Sequence, residues 1–156
     1  MILDNIRTAI TQIISSTAGV GKVIHGIVFL TSQIEINQVS KDGIINAVGF
    51  IHTNKAPDIE EGFDLEDCTR RFFFVYYYEH RNQTPQANVN SFKTVETFAE
   101  NLMNAFNCNE TLKGTVSSHN KLKLTSNNLI TSFNNKLVHM LTFELETTEA
   151  YEQNNN

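Results

Sequence analysis

"CTRRFFFVYYYEH", residues 68–80, is the stretch on which the fold turns. Between Phe72 and Tyr78 every side chain is aromatic or β-branched, the types that pack well on a pleated surface, so this is the most strand-like run in the chain. Alternation places Phe72, Phe74, Tyr76 and Tyr78 on one face and Phe73, Val75 and Tyr77 on the other. A strand that is apolar on both faces wants cover on both. The domain's own helices can supply one side, and a large apolar patch left on the other implies a partner chain. The run is therefore expected inside a sheet, part of it near a neighbouring subunit, with Tyr76 and Tyr78 as contact candidates.

Upstream, residues 54–67 hold Pro57, Gly62 and the carboxylates Asp58, Glu60, Glu61, Asp64, Glu66 and Asp67, and are expected as a solvated loop. Downstream, a polar loop with Pro85 leads to "SFKTVETFAENLMNAF", residues 91–106. Here Phe92, Val95, Phe98, Ala99, Leu102 and Phe106 share one helical face, with Asn90 or Ser91 as cap. Nearer the N-terminus, Leu3, Ile6, Ile10, Ile13 and Ile14 predict a helix over 3–16. Gly19 and Gly21 supply positive backbone angles that end it, and "KVIHGIVFL", 22–30, is a strand. The cluster Gly19, Gly21, Lys22 hints at a phosphate loop, but such a loop must follow a strand and open a helix, the reverse of this order.

Residues 32–42 are ambiguous between a short helix and a strand end, Asp42-Gly43 marks a turn, and "IINAVGFIHT", 44–53, is a second strand. In the last third, "KLKLTSNNLITSF", 121–133, reads as two half-strands with a hairpin turn at Asn127-Asn128. "LVHMLTFELE", 137–146, alternates Leu137, His139, Leu141, Phe143 and Leu145 against Val138, Met140, Thr142, Glu144 and Glu146. The sum is an α+β domain over residues 1–150, one antiparallel or mixed sheet covered by two main helices, with 151–156 as a disordered tail.

The chain's 156 residues suit one ordinary domain, and its net charge of −5 counts against a general nucleic-acid or membrane-surface binder, which needs clustered Lys and Arg. Protein partners are expected instead. Cys68 and Cys108 form no C-x-x-C, which leaves a metal framework unsupported and a reducing compartment as the default. "MILDNIRTAI" has Asp4 where a signal peptide needs an apolar run, and no stretch approaches membrane-spanning length. The five histidines, His25, His52, His80, His119 and His139, are scattered, without an H-E-x-x-H pair. There is no G-x-S-x-G elbow and no cysteine signature. A calcium loop fails in register, since Gly62 at its sixth position would put Pro57 at the first. No enzyme, cofactor or metal is expected. One binding alternative is an RNA-recognition-like use of the aromatic strand 72–78. Arg70, Phe72, Phe74, Val75 and Tyr77 fit its pattern, while Arg71 and Phe73 stand where small residues belong.

An N-terminal helix, a "GVGKV" turn into a strand, a second strand, a long polar loop, the aromatic strand, the helix "SFKTVETFAENLMNAF" and a closing "LTFELETTE" together resemble the tail terminator proteins of long-tailed bacteriophages, from about Ile2 to Glu149. The resemblance implies a ring of identical subunits, usually six-fold, on the last ring of the tail tube. Such a ring stops tube growth and joins the head connector; another neck or minor tail role is the alternative. Partners would be further copies of the chain, the tail tube protein and the head–tail connector or stopper protein, with DNA only as passing cargo and no membrane. Residence would be the virion, and the host cytoplasm during assembly. In such a ring the loop from Asp58 to Asp67 is expected as a contact arm, meeting Arg70 and Arg71 of the next subunit.

Overall fold

The structure, a computed structural model, describes residues 2–58, 67–80, 85–131 and 136–150. In chain order the elements are α1 (Ile2–Ser15), β1 (Lys22–His25), α2 (Gln33–Gln38), β2 (Ser40–Lys41), β3 (Ile44–Asp58), β4 (Asp67–Glu79), α3 (Pro85–Asn107), β5 (Ser118–His119), β6 (Lys123–Thr131) and β7 (Leu137–Ala150). The aromatic run is β4, and it lies centrally in a seven-stranded sheet of order β1-β3-β4-β7-β5, with β2 on β3 and β6 on β7. β1 is parallel to β3 and the other pairings are antiparallel, so the sheet is mixed and the α+β class holds.

The two faces of β4 build two cores. On one, Phe72, Phe74 and Tyr76 join Val48, Phe50, Leu141, Phe143 and Leu145 under Ile6, Ile10 and Ile13 of α1 and Val95, Phe98, Leu102 and Phe106 of α3. Phe74 meets Phe106 edge-on at 5.5 Å and Tyr76 stacks on Phe98 at 4.2 Å. Full burial of each such side chain is worth about 1.5–3 kcal/mol. These are the two main helices the spacing predicts.

The opposite face departs from expectation. Val75 and Tyr77, with Ile45, Ala47 and Val138, are buried under Val28, Leu30, Ile36 and Val39. The cover over Val75 and Tyr77 is the chain's own segment 26–39. β1 stops at His25, so residues 27–30, expected as more strand, cross over the sheet instead. The Tyr77 hydroxyl fastens the crossing, accepting from the Val28 N–H at 2.8 Å and donating to the Val28 carbonyl at 2.7 Å. α2, a third helix, follows at once. Its cap Ser32 accepts from the Glu35 N–H at 3.3 Å, while the Glu35 carboxylate accepts from the N–H groups of Phe29 and Thr31 and from the Thr31 hydroxyl. That hydroxyl leads the hydrogen bonds that hold the Glu35 carboxyl below the usual carboxylate range.

Several boundaries are corrected. Gly19 has φ +94° as expected, but Gly21 is needed for a different reason: a Cβ there would lie 2.1 Å from the Asn46 carbonyl oxygen. α3 begins at Pro85, well before Asn90, because a first-turn proline has no N–H to leave unpaired. β6 runs unbroken through Asn127 and Asn128, which pair with Leu141 and Met140. With no glycine to take a left-handed turn, the ladder along β7 prevails. The expected loop 54–67 is partly strand, since β3 and β4 pair out to Asp58 opposite Asp67. The tail 151–156 lies outside the described residues.

Candidate functional site

Of the expected contact arm, Asp58 and Asp67 close the described part of the β3–β4 hairpin, while Glu60, Glu61, Asp64 and Glu66 lie outside the described residues. Arg70 is only 7 % exposed and forms an ion pair with Glu149, itself 6 % exposed. Antiparallel pairing sets Arg70 opposite Thr147 and Cys68 opposite Glu149, which delivers the carboxylate to the guanidinium. A buried charge is tolerated only when paired, so Arg70 belongs to its own sheet and is not the free cation expected to meet a neighbour. Glu149 is 79 residues away, beyond the reach of any local pattern. Arg71 points to the other face and is exposed, with its Nε 3.0 Å from Glu146 Oε2. Such a pair contributes about 1 kcal/mol or less and can exchange partners.

Tyr76, expected at a subunit contact, has no exposed surface, because its alternation face is the one under α3. Tyr78 is half-buried, its ring 5.9 Å from Tyr76 and 6.3 Å from His139. The stacking-platform alternative fails for the same reason: Phe72, Phe74, Tyr76 and Tyr77 are all buried and present no face to a base.

The histidines are less scattered than their spacing implies. The end of β4 and the start of β7 bring His80 Nδ1 to 2.8 Å from His139 Nε2, and Phe92 of α3 sits edge-on to both rings. Burial, and then the neighbouring His80, push His139 down to about 4. On α1, the Thr11 hydroxyl donates to the Arg7 carbonyl at 2.9 Å, so His25 Nε2, 3.0 Å from that oxygen, is a donor to it and not its base. His119 Nε2 faces the carbonyls of Phe106 and Asn109, each at 2.9 Å, and ties down the end of α3. Among the described residues no three His, Cys, Asp or Glu side chains gather as a metal ion needs.

Gly19 to Lys22 follow α1 and lead into β1, the order that is wrong for a phosphate loop. A groove of about 590 Å³ lies between that turn and Asn90, Lys93, Thr94 and Thr97 of α3. A second, of about 530 Å³, is lined by Asp4, Arg7, Thr8, His25 and His52. No helix among the described residues is long and apolar enough to cross a membrane. No protein-family model matches the chain, and no curated protein matches it.

Proposed function

We propose that this chain is a structural subunit of a bacteriophage tail, a terminator-like protein that closes into a homo-oligomeric ring at the head-proximal end of the tail tube, ends tube growth and joins the tail to the head connector. The observation that carries the proposal is the element order on one mixed sheet: helix, strand, hairpin, helix, closing strand, with α1 and α3 sharing one face. The β3–β4 hairpin adds support: the sequence between its paired ends, Asp58 and Asp67, carries four more carboxylates that many copies can offer to cationic partners. A net charge of −5 per subunit suits a channel through which DNA slides without the phosphate contacts that would hold it. Partners are further copies, the tube protein and the connector protein; assembly is in the host cytoplasm and residence in the virion.

Native mass spectrometry with negative-stain microscopy is the test, alongside tail length in cells that carry Glu60, Glu61, Asp64 and Glu66 changed to Ser or Asn. A closed ring, and tails of altered length in the variant, are expected. A strict monomer that leaves tail length unchanged when deleted overturns the proposal. A ring that binds the connector but leaves tube growth unaffected points to another neck or minor tail role.

A further inference from the structure

The geometry of His80 and His139 leaves room for one proton between the two rings, whichever of them donates it. Both are buried, at 8 % and 0 % exposure, and their facing nitrogens are 2.8 Å apart. A hydrogen bond of that length needs one N–H and one lone pair, so a single proton lies between the rings. The neighbours that meet the pair among the described residues are uncharged: Tyr78 from β4, Phe92 from α3, and Leu129 of β6 opposite His139. Glu79, next along β4, is turned to the other side, where it accepts from Lys136 at 3.0 Å and from the Ile45 N–H. Arg81 lies outside the described residues. The other nitrogen of the His139 ring, Nδ1, is buried without a hydrogen-bond partner among the described residues. Phe92 touches both rings, at centroid distances of 5.4 and 4.9 Å, so the pair forms the floor on which the first turns of α3 rest.

We propose that His80 and His139 form a proton-operated clasp: with one shared proton they hold the first turns of α3 against the β4–β7 end of the sheet, and a second proton releases those turns. Adding that proton between the rings would set two N–H groups against each other and place a positive charge in an apolar site, which neither Phe92 nor Tyr78 can offset. The low position of His139 is the equilibrium expression of the same conflict.

Amide hydrogen exchange, corrected for intrinsic rates and followed from pH 7 to 4.5, tests the clasp. Protection around Phe92 should fall about fortyfold more in the native sequence than in H139Q between pH 6.5 and 4.5, since opening takes up one proton across most of that window, approaching tenfold per pH unit. Gln reproduces the Nε2 position without titrating; H80N does the same for Nδ1 and serves as the second insensitive control. The clasp is overturned if both variants show the same acid-dependent loss as the native protein. It is equally overturned if β4 and β7 amides lose protection in step with α3.

Discussion

Tyr76 and Tyr77 are neighbours on one strand, yet deleting the hydroxyl from each should change stability in opposite directions. The Tyr77 hydroxyl holds both backbone groups of Val28, itself 6 % exposed, at 2.8 and 2.7 Å. Tyr77→Phe leaves a buried N–H and a buried carbonyl unpaired, a loss of about 3 kcal/mol when an unsatisfied buried group costs about 1–3. The Tyr76 hydroxyl is buried with no hydrogen-bond partner among the described residues, and desolvation, with Tyr78 adding to it, raises its pKa. Tyr76→Phe removes that unsatisfied group, and against the small void it leaves the net gain is about 1 kcal/mol. A domain of this size shifts its melting temperature by about 2–4 °C per kcal/mol, so Tyr76→Phe should melt about 2–4 °C higher and Tyr77→Phe about 6–12 °C lower. Differential scanning calorimetry of the two variants at pH 7 decides it. Equal destabilisation by both changes would refute the assignment of the two faces.

The buried ion pair gives a second contrast: Arg70→Met alone should cost about 3–5 kcal/mol in urea unfolding by stranding Glu149, whereas R70M with E149L should recover most of that loss. Gly21→Ala drives a Cβ to 2.1 Å from the Asn46 carbonyl oxygen and should cost about 1–3 kcal/mol, read from the same urea curves. His139 is depressed to about 4 from 6.5, so its contribution is complete above pH 6.5, declines as the unfolded chain takes up a proton that the folded one refuses, and is gone below pH 4. Unfolding measured across that window should fall by at most about 3 kcal/mol more in the native protein than in H139Q. In the ring proposal, exposed pairs of the Arg71 kind join subunits, so about 0.5 M salt should dissociate the oligomer in sedimentation while circular dichroism stays unchanged.

Much of the fold was legible because β4 and β7 alternate without interruption. The residue types at Phe72 to Tyr78 and at Leu137 to Leu145 fix which side chains share a face, and the two cores divide along that alternation. Helices α1 and α3 were legible from their apolar spacing. The strand ends were not, because propensity cannot register what a neighbouring strand offers. Asn127 and Asn128 look like a turn in isolation, yet both pair along β7. Pro57 looks like a loop residue, yet it pairs with Cys68 where β3 runs as an outer strand, a place proline tolerates.

The site was less legible than the fold, and Tyr77 shows why. Two apolar faces on one strand call for two kinds of cover, and segment 26–39 lacks the regular apolar spacing that would mark a lid. Its hold on the sheet comes from single contacts: one phenol on Val28, one carboxylate at Glu35 gathering the turn before α2, and the buried side chains of Leu30, Ile36 and Val39. The Tyr77 contact joins residues far apart in the chain, as do Arg70 with Glu149 and His80 with His139. The residue types alone make each of these groups look available to a ligand or a neighbour. Burial then assigns them to partners within the chain, and the ring proposal is left with groups that stay exposed, such as Arg71.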